Sequence, residues 1–146
     1  MTYLNHFDLS LWQECDGLYA KLQEACIKLQ DAHGVNVNLL LLSRWLDSQS
    51  YWLSTDAWQQ LFEQIDRWEQ RILQPYRRLR KLSKHNLAEN EYQQMLDVEL
   101  MLERKEQGLI LHKLRQYAAE ETSHNLPRYL SLFGIDANLY PELLSS

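Results

Sequence analysis

The sequence predicts an all-α protein, a single-domain bundle of about five helices with a buried central second helix and a long polar fourth one. Three observations carry that expectation. Apolar residues recur at alternating spacings of three and four along most of the chain. Only four Gly and three Pro interrupt 146 residues, too few for a collagen-like or loop-built scaffold. Hydrophobic residues make up 45% and charged ones 24%, which suits a chain that buries one core and disfavours a disordered one.

The elements follow in order. Asp8 precedes Leu11, Trp12, Cys15, Tyr19, Leu22, Cys26 and Leu29, one helical stripe that predicts a helix over about 9–32, with Gly34 placed for a left-handed stop. From Val37 to about Ser50, the run Leu39–Leu42 followed by Trp45 and Leu46 leaves almost no polar side, so this second helix belongs at the centre. Ser54 or Thr55 caps a third helix, with Asp56 in its first turn. Trp58, Leu61, Phe62, Ile65, Trp68, Ile72, Tyr76, Leu79 and Leu82 then hold one face, and Pro75 inside that run predicts a kink just before it. Asn86-Leu-Ala-Glu89 reads as a capping box opening a fourth helix to about Glu120. Unbroken, that helix is roughly 50 Å long and has to project, pair with another chain, or break near Gly108. Asn125-Leu-Pro127 starts a short last helix that Gly134 stops, and the tail from Ile135 to Ser146 is expected to be irregular.

The start of the chain lacks a basic segment followed by an apolar run, and Leu39–Leu42 is the longest apolar stretch, so a cytoplasmic protein without a membrane partner is expected. Cys15 and Cys26 fall on the apolar face of one helix roughly 16 Å apart, too far to pair, and read as buried free thiols.

Little in the sequence points to catalysis. Glu121-Thr-Ser-His124 has the Glu-x-x-His spacing of di-iron bundles, but such sites need two of these motifs plus two further carboxylates. His6, His33, His85 and His112 supply no second ligand pair, so neither a metal nor a cofactor is expected. Glu99, Glu103 and Glu106 lie three or four apart with Arg104 and Lys105 between them, the pattern of a solvated helix face, although Glu99 and Glu106 interrupt an apolar seam. No phosphate loop or nucleophile motif is present, and the expectation is that the protein is not an enzyme. Trp12, Trp45, Trp58 and Trp68 read as core, and Trp52 as the exposed one.

The charge map is the informative feature. Arg67, Arg71, Arg77, Arg78, Arg80, Lys81 and Lys84 stand against one acid, Glu69, giving +6 over 67–84; the other eight basic and nineteen acidic residues leave −11 for the remainder. On a regular helix Arg67, Arg71, Arg78 and Lys81 share one side, opposite Trp58, Ile65 and Ile72. Such a patch grips the phosphates of DNA or an acidic protein face, unless the chain's own acids neutralise it.

Leu11-Trp12, Leu18-Tyr19, Ala25-Cys26 and the stretch Leu29-Gln30-Asp31 through Gly34-Val-Asn-Val37-Asn38-Leu-Leu-Leu41 to Trp45-Leu46 resemble a small proteobacterial family defined by a domain of unknown function. Pro75-Tyr-Arg77-Arg78-Leu-Arg80 is similar to the same family, so the likeness covers about 9–85, with 86–146 as the part that varies among members. Family members carry a Pro-Gly turn after the tyrosine matching Tyr19, whereas here Ala20-Lys-Leu-Gln-Glu-Ala25 continues the helix. Within the family the chain resembles a regulator of type VI secretion, and that likeness implies a nucleoid-associated global repressor akin to H-NS-type silencers. The expected function is therefore transcriptional regulation with DNA as partner, the seven basic residues of 67–84 as the contact, and self-association through other helices. The alternative is a helical adaptor that binds a protein partner and not DNA.

Overall fold

The computed structural model of the chain describes residues 7–8, 10–119 and 124–144. Among the described residues seven α-helices follow one another: α1 (Leu11–His33), α2 (Val37–Ser48), α3 (Thr55–Trp68), α4 (Gln74–Ser83), α5 (Glu89–Leu114), α6 (Asn125–Ser131) and α7 (Pro141–Leu144). A π-helical turn, Glu69–Leu73, joins α3 to α4 without a break, and a 3₁₀ turn, Ala137–Leu139, precedes α7. No β-strand occurs among the described residues.

The core is organised around α2, in which every residue from Leu39 to Leu46 is buried, as its unbroken apolar run predicts. Its first turn is closed by Asn36, whose side chain accepts the Leu39 N–H at 3.0 Å. α1 and α6 pack on it. From α1 come Leu11, Trp12, Cys15, Leu22, Ala25, Cys26 and Leu29, the sequence stripe, while Tyr19 packs only at its margin. Gly34 ends α1 at φ 71°, a left-handed conformation open to glycine at no steric cost, and its N–H reaches the Gln30 carbonyl at 3.0 Å. Burial pushes the Cys15 thiol up to about 12 and the Cys26 thiol up to about 11.

Buried polar groups pin α6 in place. Asn125 is fully buried; its side-chain oxygen accepts from the Leu53 N–H at 2.8 Å and the Trp58 indole at 3.2 Å, and its amide donates to the Tyr51 carbonyl at 2.7 Å. Asp47 on α2 accepts the Asn125 and Leu126 N–H groups, so the open end of α6 is capped by a residue distant in sequence. The tail is not irregular throughout: α7 returns to α1 and buries Leu143, because a leucine on a short turn still gains by covering the open flank of the core. Trp52 is half-buried and not the exposed tryptophan, its link being folded down between α2 and α3.

Where Pro75 predicts a kink, the helix inserts a π turn instead. Pro75 has no N–H for the Arg71 carbonyl and its ring crowds that position, and the wider turn accommodates both, with the Gln74 N–H reaching back five residues to the Glu69 carbonyl. One extra residue per turn advances the helix phase by about 100°. The buried stripe Trp58–Leu61–Ile65 therefore continues to Leu73, which is 1% exposed, and not to Ile72, which is 38% exposed. Past the turn, Leu79 and Leu82 point to solvent, contrary to the regular-helix expectation, and α4 buries no residue.

The fourth sequence helix corresponds to α5. It runs unbroken through Gly108 but stops at Leu114, short of Glu120. Its start is offset too: Asn86 hydrogen-bonds back to the end of α4, and the first turn is closed by Glu91, which accepts the Ala88 N–H at 2.9 Å. The helix is about 39 Å long. It folds back antiparallel along α4, the π turn and α3, with the Tyr76 hydroxyl on the Met95 carbonyl and the Trp68 indole on the Leu102 carbonyl. Only Glu106, Ile110, Leu111 and Leu114 of α5 are buried, so α4 and the first half of α5 form an arm that projects from the core.

These placements rank core substitutions. Leu42→Ala and Leu73→Ala are each expected to cost about 2–5 kcal/mol in urea unfolding, and Ile72→Ala about 1 kcal/mol or less. Equal costs at 72 and 73 would contradict the phase shift.

Candidate functional site

The seven basic residues singled out by sequence separate into two groups across the arm. Arg67, Arg71, Arg78, Lys81 and Lys84 are exposed, and among the described residues none of them forms an ion pair. Arg77 and Arg80 turn inward, carried there by the phase advance. Arg80 engages both oxygens of Glu99 and also donates to the Tyr92 hydroxyl at 3.2 Å. Arg77 lies 3.4 Å from Glu69, 3.5 Å from Glu99 and 3.6 Å from Glu103. Burial raises the Glu99 carboxyl, but Arg80 and Arg77 together outweigh it and hold it below the usual carboxylate range. The arm is thus stapled by charge beside a narrow seam of half-buried Tyr76, Tyr92, Met95 and Leu96.

Interleaved with the exposed basic residues are exposed apolar ones. Leu79 and Leu82 stand on α4, and Val98, Leu100 and Met101 on α5. They make the arm's outer surface both cationic and greasy.

A second feature was misread in sequence. Where the arm joins the core, a cleft of about 440 Å³ opens between the α1–α2 link, α3, the π turn and α5. Among the described residues its walls carry Asp16, Asp66, Glu69, Glu103 and Glu106 against a single cation, Arg77, with Tyr19 and Phe62 as its rings. Glu106 is not solvated: it is 1% exposed. Its Oε1 accepts from Asn38 at 3.0 Å and from Asn36 at 3.3 Å, and Asn36 is itself fixed by Tyr129, whose hydroxyl accepts its N–H at 3.0 Å and donates to its carbonyl at 3.3 Å. Its Oε2 is buried with no donor in reach. Desolvation, reinforced by the neighbouring Glu69, pushes the Glu106 carboxyl up to about 8 against the opposing amides of Asn38 and Asn36. Ionised, Oε2 is a buried acceptor left without a donor. The sequence signal was the acid set into an apolar seam, which marks an unusual carboxylate better than the spacing of neighbouring charges does.

The Glu-x-x-His motif contributes nothing to either feature: His124 is exposed and Glu121 lies outside the described residues, as does His6. Among the described residues no three His, Cys, Asp or Glu side chains are arranged to hold a metal ion, and no helix is long and apolar enough to cross a membrane.

The family model for a protein of unknown function, DUF2390, matches residues 10–110. The chain belongs to that family. The match runs beyond 85, where the resemblance read from sequence stopped, and so the DUF2390 segment takes in the whole arm and all five acids of the cleft, leaving α6 and α7 after it. No curated protein and no solved structure matches the chain.

The cleft makes stability pH-dependent. Glu106 binds its proton more tightly folded than unfolded, so stability is fullest below the ordinary carboxylate range and falls as pH rises toward about 8. Glu69, Glu103, Arg77 and Tyr129 face the same region. Glu106→Gln, which keeps a donor in place, is expected to raise the melting temperature at alkaline pH and flatten its fall between about pH 5 and 8. A variant whose melting temperature falls in parallel with wild type would show that Glu106 is not the group responsible.

Proposed function

We propose that this DUF2390 protein is a non-enzymatic transcriptional regulator that contacts DNA through the exposed basic residues of α3, the π turn and the arm. The carrying observation is that Arg67, Arg71, Arg78 and Lys81 on one continuous helical stretch, with Lys84 just past its end, are exposed with no internal ion pair among the described residues, while Glu69, Glu99 and Glu103 are engaged by Arg77 and Arg80. Acids spent internally do not repel a phosphate backbone, so a chain of net charge −5 still presents a locally cationic edge. The resemblance read from the sequence, to the type VI secretion regulator TsrA, gives the same reading and adds that of a global repressor of the H-NS kind, acting at the nucleoid. Phosphate contacts position a protein without reading bases, which suits broad silencing. Arg77 and Arg80 hold the arm's shape and are not themselves DNA contacts.

The exposed leucines, Val98 and Met101 favour a second reading, an adaptor whose arm docks on an acidic and apolar protein surface. One experiment separates the two. Affinity for duplex DNA, measured by fluorescence anisotropy across a salt series, is expected to fall steeply with salt for wild type, and Arg71→Ala with Arg78→Ala is expected to flatten the log–log slope by about two. Binding that is absent, or that keeps its slope in the double variant, removes the DNA face and leaves the adaptor.

A further inference from the structure

The DNA reading leaves the cleft at the base of the arm without a role, and its construction is specific. Glu106 is a carboxylate on a helix that elsewhere buries Ile110, Leu111 and Leu114, and two asparagines from another part of the chain hold one of its oxygens in a fixed direction. The other oxygen lacks a donor. Glu69 stands beside it, itself oriented by the Gln74 amide at 3.0 Å and by Arg77. An unprotonated acid pair of this kind asks for a cation between its members.

We propose that the cleft binds a small organic cation, a primary amine with a short carbon body, whose ammonium sits between Glu106 and Glu69. The ammonium has three donors, enough for the orphaned Oε2 of Glu106, an oxygen of Glu69 and a third acceptor in the cleft. A proton carried by the Glu106 carboxyl is passed to solvent water as the ammonium enters, and no covalent bond forms to the ligand. The chemistry of the walls chooses an amine over other ligands. Five acids against Arg77 repel anions, and among the described residues no three carboxylates converge as a metal ion requires. The volume of about 440 Å³ falls in the range of small-molecule pockets, and Tyr19 and Phe62 offer rings for an alkyl or aromatic body. Because Glu69 belongs to the π turn and Arg77 to α4, an occupied cleft braces the arm against the core, so the ligand acts on the part of the molecule that carries the exposed cations.

Isothermal titration calorimetry of the full chain with putrescine, agmatine and tyramine tests this, with butanediol as the uncharged control and magnesium chloride as the metal control. At least one amine is expected to bind, butanediol and magnesium are not, and Glu106→Gln is expected to weaken the amine roughly ten- to hundredfold while circular dichroism shows the fold kept. If Glu106→Gln does not fold, Glu69→Gln carries the same expectation. An amine that binds wild type and the folded variant equally, magnesium binding in the amine's place, or no binding by any of the three amines overturns the proposal. None of these outcomes depends on whether the arm meets DNA.

Discussion

Pro75 has no N–H to offer, and much of the molecule follows from how the helix around it answers that lack. A kinked or broken helix would have left α4 without a defined direction. Opening a π turn keeps the rod continuous and leaves it rotated by about a quarter turn or slightly more. Two consequences come from the same insertion. Beyond the turn, residues that a regular helix would bury become exposed, and arginines that it would expose swing against α5, where Glu99 and Glu103 receive them. Within the turn, Glu69 is set beside Glu106 and the cleft gains its second carboxylate. The outer surface of the arm and the interior of the cleft are therefore coupled results of one backbone feature.

The arm also shows how a helical hairpin is held together when its seam is poor in apolar side chains. Exposed ion pairs contribute little, because water screens them and two long side chains have to be ordered. The Arg80–Glu99 pair is different in kind: it is partly shielded, it uses both carboxylate oxygens, and Tyr92 fixes the guanidinium from the side. Such contacts specify register more than they add stability, and in the core Asn125 and Asn36 serve the same end by tying α6 and α5 to links that apolar packing alone would leave free to slide.

The sequence made part of this legible and hid the rest for identifiable reasons. Periodicity located α1, α2 and the start of α3, since Leu39–Leu46 and the Trp12–Cys26 stripe have one helical phase from end to end. The caps at Gly34, Ser54 and Gly134 were legible because each rests on local chemistry: left-handed glycine at the first and last, and at the second a hydroxyl accepting the Ala57 N–H. The π turn was not, because Ile72 and Leu73 are adjacent and both apolar, so a one-residue insertion leaves the written pattern intact while exchanging which of them is inside. Arg77 and Arg80 were counted with the outward cations for the same reason. Glu106 was hidden differently: its burial is imposed by Asn36 and Asn38, some seventy residues away, and no window along α5 contains them. The tail was missed because α7 is a single turn whose only strong claim on structure is the anchoring of Leu143.

The two cysteines have one further consequence. Both sit on the inner side of α1 as thiols that resist ionisation, and a thiol reagent attacks only the thiolate. Neither sulfur is oxidised or alkylated while α1 remains seated, so the native chain is indifferent to redox conditions that would mark a surface cysteine. Once α1 lifts, both become ordinary nucleophiles. The rate at which they are modified is then a clock for the opening of that helix, read at two points along its length, without any label having to be engineered into the protein.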